Sequence, residues 1–112
     1  MSKHDALVIL KQIHSYSTEI ISITEGKSRE DLDQDRLLNL AVSRLLEIIG
    51  EAANRMPDDF RSKYPNLPWL QMIGLRNRLI HGYDNVDFDI IWMIIGKDIP
   101  ELIILIEELD LL

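Results

Sequence analysis

Apolar residues recur every three or four positions along most of the chain and form no alternating runs, so α-helix is the regular structure this pattern permits. From Ala6 the spacing runs through Leu7, Ile9, Leu10, Ile13, Tyr16, Ile20 and Ile21. Ser2 with Asp5 three residues later reads as a reciprocal cap at the start of this first helix, and Gly26 suits its stop. The charged stretch KSREDLDQD leads into RLLNLAVSRLLEIIGEAANRM, whose spacing predicts a second long helix closed by Pro57. PDDFRSKYPNLP carries three prolines in twelve residues and predicts a connector with at most a short helical turn. Pro68 suits the first position of a helix over PWLQMIGLRNRLIH, where a missing N–H costs nothing. GYDNVD reads as a loop, and Asp87 as the cap of a last helix from Phe88 onward. Pro100 falls inside that helix and is expected to kink it near Gly96, whose carbonyl its ring would otherwise strike. The expected fold is all-α, an up-and-down bundle of four main helices in one domain over residues 1–112.

The last of these helices is apolar nearly all the way round, from Phe88, Ile90, Ile91 and Trp92 to Leu109, Leu111 and Leu112. One face enters the core of a small bundle, and a second face calls for another partner, most economically a second copy of the chain. A homodimer is therefore expected.

The chain has no cysteine, so disulfides and thiolate metal sites are excluded, and a reducing cytoplasmic setting is the default. MSKHDALVILKQ reads as neither signal peptide nor membrane anchor, and no apolar run reaches the roughly 18 residues of a spanning helix. The net charge of -7 argues against a protein that coats nucleic acid indiscriminately. Its distribution is uneven: residues 60 to 82 hold Arg61, Lys63, Arg76 and Arg78 and no carboxylate. Such a local positive site attracts a phosphate while the acidic surround limits unspecific binding.

Within that window, LRNRLIHGYD places two arginines, an asparagine, a histidine and a tyrosine in close succession. On a regular helix Arg76 and His81 stand about 140° apart, so a bent helix end, a long reach or a facing copy in a dimer would be needed to join them. Arg78 and Asn77 are the natural helical neighbours of His81. Histidine exchanges a proton near neutral pH, and arginine presents a planar fork of donors to phosphate oxygens. Together they suffice for RNA cleavage by the adjacent 2′-hydroxyl, without a metal. A plain helix end, with cations favoured by the dipole and Gly82 as terminator, accounts for the same residues. Glu47 and Glu51 share one face of the second helix, and their spacing fits an exposed ladder with Arg55. Gly50 points to close helix packing. Trp69 and Trp92 fit the core or an interface better than a base-stacking platform. His4 and His14 lack partners at metal-ligand spacing.

Arg76, His81 and Tyr83 form an R-x4-H-x-Y pattern that resembles the signature of HepT-like toxins in the HEPN superfamily. LLEIIGEAANRM, LPWLQMIGLRNRLIHGYDNVDFDIIW and KDIPEL resemble that family in the same order and spacing. The resemblance implies a HEPN bundle that dimerises so that two motifs meet in a cleft. It implies a metal-independent endoribonuclease without a cofactor, the toxin of a type VII (HEPN/MNT) toxin–antitoxin pair. The implied partner is a nucleotidyltransferase antitoxin of the MNT type, which silences the toxin by transferring AMP to the motif tyrosine. Carried over by position, Arg76 holds the scissile phosphate, His81 transfers protons, Tyr83 receives the AMP and Asn77 has an orienting role; Arg78, Glu47 and Glu51 support them. The alternative is a HEPN module that binds a nucleotide or a partner without catalysis.

Overall fold

A computed structural model describes residues 3–79 and 86–112, and the described residues contain helices and no strand. Helix α1 (Lys3–Thr24) buries Ala6, Ile9, Leu10, Ile13, Ser17 and Ile20 as one stripe. The chain leaves it through Gly26, whose φ of +74° is the left-handed conformation a glycine adopts without steric cost. Ser2, the expected cap, lies outside the described residues.

The charged stretch expected as a connector is in part a helix, α2 (Arg29–Gln34). Ser28 donates its backbone N–H to Asp31 Oδ2 at 2.7 Å, and its hydroxyl reaches the same oxygen at 3.2 Å. That hydrogen bond, chiefly the backbone one, holds the Asp31 carboxyl below the ordinary carboxylate range. Leu32 is fully buried and gives this short helix its place on the core. Helix α3 (Arg36–Arg55) starts at Asp35, whose side chain accepts the Leu38 N–H, and stops just before Pro57 as the sequence predicts. Its buried Asn39 donates to the Leu32 carbonyl at 2.8 Å, so the amide is paired and α2 is tied to α3.

Helix α4 (Asp58–Lys63) is the short turn allowed by the proline-rich connector. Phe60 lies 4.8 Å from the Tyr64 ring and edge-on to Trp69 at 6.2 Å, while Trp69 Nε1 donates to the Tyr64 carbonyl. Trp69 is thereby a core residue, as expected.

The third predicted helix is divided into α5 (Trp69–Ile73) and α6 (Leu75–Leu79). Gly74, at φ -81° and ψ 0°, leaves the helical basin between them. Pro68 precedes the first helical residue instead of occupying it. Gly50 explains how α5 fits: a Cβ there would stand 2.8 Å from the Met72 carbonyl oxygen, so only glycine lets the two backbones meet.

Asp87 caps helix α7 (Phe88–Met93), accepting from the N–H groups of Asp89 and Ile90. In place of a simple kink before Pro100, residues Ile94–Asp98 form a π-helical turn in which Ile99 donates to the Ile94 carbonyl. Proline has no N–H and its ring displaces the Gly96 carbonyl, so an unbroken i→i−4 ladder is impossible there. Helix α8 (Ile99–Glu108) follows. Helix α1 packs on α3 and α8, and α3 carries α5 and α6, so the four predicted apolar patterns surround one core.

The last helix spends most of its apolar surface inside the chain: Ile91, Ile94, Ile95, Ile99, Leu102 and Ile106 are buried. Trp92 packs half-buried against that core, and Met93 and Ile104 remain exposed. Outward apolar side chains also occur on α3, at Leu37 and Leu40.

Candidate functional site

Helix α6 is too short to stand alone and takes its orientation from its neighbours. Leu75 and Leu79 are buried and define its inward face. At 100° per residue, Asn77 then points to solvent and Arg76 and Arg78 leave on opposite flanks. The structure agrees: Arg76 and Asn77 are exposed and Arg78 is half-buried.

The four cations of the carboxylate-free window differ in their surroundings. Arg61 pairs with Asp58 on its own helix, and Arg78 Nη2 donates to Asp98 Oδ2 at 3.3 Å. The Lys63 ammonium lies 5.7 Å from the Tyr64 ring centroid. Arg76 has no ion pair among the described residues. An exposed guanidinium with no ion pair among the described residues is the group on α6 best suited to meet an incoming phosphate.

Glu47 and Glu51 form a ladder with Arg44 and not with Arg55. Arg44 Nη1 lies 3.2 Å from Glu47 Oε2 and 3.3 Å from Glu51 Oε1. These two carboxylates, Glu47 first, raise the Arg44 pKa above its ordinary value. Arg55 instead donates to Gln12 on α1. Glu47 lies one turn before Gly50, which touches the α5–α6 corner, but neither glutamate forms an ion pair with Arg76.

His81 and Tyr83 lie outside the described residues. The backbone on either side of them is tied together: the Asp87 N–H donates to the Leu79 carbonyl at 2.9 Å. Downstream, Arg29 on α2 donates from Nε to Asp89 at 2.8 Å, pairs with Asp33 at 3.1 Å and lies 6.0 Å from the Phe88 ring centroid. The hydrogen bond donated to Asp89, followed by that donated to Asp33, raises the Arg29 pKa. Sixty positions separate Arg29 from Asp89, and no local pattern in the sequence announces the pair. The Arg78–Asp98 contact had a partial signal, because KDIPEL stood out without a role.

Among the described residues, no three histidine, aspartate or glutamate side chains are grouped to hold a metal ion. None of their helices is long and apolar enough to cross a membrane.

A match to the family described as ribonuclease HepT-like runs over residues 13–109, from the middle of α1 to the end of α8. The chain belongs to the HepT-like ribonuclease family. HepT-like relatives agree along most of their lengths. "Putative RNase MJ1380" of Methanocaldococcus jannaschii is 39% identical over 102 residues, 91% of this chain and 94% of its own. "Putative RNase TTE0752" of Caldanaerobacter subterraneus subsp. tengcongensis is 46% identical over 83 residues, 74% of each chain. "Probable ribonuclease HepT" of Thermococcus cleftensis is 41% identical over 88 residues, 75% of this chain and 80% of its own. No solved structure matches this HepT-like chain significantly. Membership makes RNA cleavage the activity against which the exposed Arg76 has to be understood.

Proposed function

We propose that the chain is a metal-independent endoribonuclease toxin acting as a homodimer through Arg76, His81 and Tyr83. The observation that carries this reading is the exposed Arg76, free of any ion pair among the described residues, at the start of the R-x4-H-x-Y pattern in a HepT-like chain. In this scheme the Arg76 guanidinium binds the non-bridging oxygens of a phosphodiester and stabilises the charge that builds on them. The 2′-oxygen attacks phosphorus as its proton is removed; the P–O5′ bond breaks and the departing oxygen takes up a proton. His81 serves in this proton transfer, leaving a 2′,3′-cyclic phosphate and a 5′-hydroxyl. Outward Leu37 and Leu40 on α3 offer apolar surface for a second copy.

Silencing would come from a cytoplasmic MNT-type nucleotidyltransferase that moves AMP from ATP onto the Tyr83 hydroxyl, releasing pyrophosphate. The added phosphate brings a negative charge to the motif and opposes RNA by the same electrostatics that attract it.

The test is cleavage of a mixed RNA pool in EDTA by the unmodified dimer beside Arg76→Ala and His81→Ala. Cyclic-phosphate ends from the parent alone bear the proposal out. No cleavage by a folded, dimeric parent overturns it in favour of a HEPN module that binds a nucleotide or partner without catalysis.

A further inference from the structure

We propose that Asp98 is a positioning residue that sets the direction of Arg76 by holding Arg78; the inference rests on the role given to Arg76 above. The described part of helix α6 runs from Leu75 to Leu79, and Gly74 interrupts its continuity with α5. Leu75 and Leu79 press it onto the core along one line, which fixes its inward face and leaves its flanks to be held by other contacts. The Arg78–Asp98 ion pair is one such contact, a lateral restraint on rotation about the helix axis. Arg76 and Arg78 are about 200° apart around α6, so fixing Arg78 against the last helix directs Arg76 to the opposite flank.

Asp98 stands where it does because of its own segment. It closes the π-helical turn Ile94–Asp98, two residues before Pro100. The widened turn meets the needs of the proline and brings an acidic side chain to the flank of α6, across Met72, Leu75, Ile94 and Ile99, which line the seam beside the pair. The Asp-Ile-Pro segment thus acquires a task that its sequence alone did not reveal. About a third of each side chain is exposed, 35% for Arg78 and 34% for Asp98. A pair this accessible contributes little to global stability, so orientation is the effect to measure.

Electrostatics and positioning predict opposite signs. Asp98→Asn removes a negative charge near a phosphate site, which by Coulomb attraction alone would tighten RNA binding. Positioning instead lowers kcat, by about tenfold for a modest misdirection of the phosphate clamp. The experiment compares the unmodified parent with Asp98→Asn, Arg78→Gln and the exchange Arg78→Asp with Asp98→Arg. It measures kcat and KM on RNA in EDTA, the thermal midpoint, and inorganic phosphate binding from the Arg76 Nε NMR signal. The expected result is a tenfold lower kcat and about tenfold weaker phosphate binding for Asp98→Asn, an unchanged midpoint, and recovery of most of both losses in the exchange. Unchanged or tighter phosphate binding in Asp98→Asn overturns the inference, as does an exchange no better than either single variant. If the parent cleaves no RNA while the phosphate result holds, the ribonuclease reading falls and the positioning role of Asp98 stands.

Discussion

The α1–α3 pair and the corner built from α5, α6 and α7 are held by different physics. Leu10, Ile13, Ile20, Val42, Leu46 and Ile49 are fully buried, so the long helices are secured by contiguous apolar area. At the corner the described helical segments have five or six residues, and directed contacts help define their place: Gly50 under Met72, Arg78 on Asp98, Asp87 on Leu79 and Arg29 on Asp89. Apolar area fixes that elements pack together, whereas directed contacts fix how a short element is turned. The scaffold accordingly is expected to govern stability, and the corner to carry the orientation proposed for Arg76.

That contrast breaks down if substitutions in the two regions have interchangeable effects. Leu46→Ala in α3 removes a fully buried side chain and is expected to cost about 2–5 kcal/mol in urea unfolding. A cost near zero would mean that the scaffold is not held by packed area. Gly50→Ala, where scaffold and corner meet, sets a methyl against the backbone oxygen of Met72. The strain, about 1–3 kcal/mol, exceeds the ~1 kcal/mol of helix propensity that alanine brings, so the variant should unfold earlier. Equal or greater stability would show that α5 moves aside freely.

Arg76→Ala should leave the unfolding midpoint near the parent's, since Arg76 is exposed, while cleavage falls by about a hundredfold. A large stability loss would place Arg76 in the scaffold class. Arg29→Gln loosens the ties to Asp89 and Asp33 and should speed hydrogen exchange at the Asp89 and Ile90 amides, leaving the α1 amides protected. Uniform acceleration through α1 would erase the distinction.

The smallest effect is a pH dependence at α2. The Asp31 pKa is lowered in the folded chain, so its contribution is fully present above the ordinary carboxylate pKa and is lost as pH falls through the lower, folded value. Asp31→Asn should flatten this acid limb of the stability curve slightly, with a small loss of stability at neutral pH that disappears in acid. An unchanged limb would remove Asp31 from the account.

The long helices were legible because three- and four-residue periodicity is a local signal repeated many times. The Asp87 cap and the Pro57 stop were legible for the same reason, each acting within a turn of its own position. Helix α2 was missed although Ser28, Asp31 and Leu32 marked it, because its charge outweighed its single core residue. The break at Gly74 was missed because glycine is tolerated within helices, and the contact of the Met72 backbone with Gly50 is tertiary. At the candidate site, spacing offered Arg76, Asn77 and Arg78 together and could not separate an outward guanidinium from one held by Asp98. Glu47 and Glu51 were recognised as a face, but their partner Arg44 was not foreseen. His81 was singled out by its chemistry and Tyr83 through the resemblance, and both lie outside the described residues.

The π-helical turn also sets a phase relation along the chain. A turn closed by an i→i−5 hydrogen bond uses one residue more than an α-turn, so the residues before and after it are out of step by one helical position. The turn itself absorbs that residue, so α7 and α8 keep the relation they would have across a regular helix one residue shorter. Deleting one residue between 94 and 98 would therefore leave α7 in place but set the Pro100 ring against the carbonyl of a regular α-turn. In this family member, the length of that segment is tied to the position of its proline.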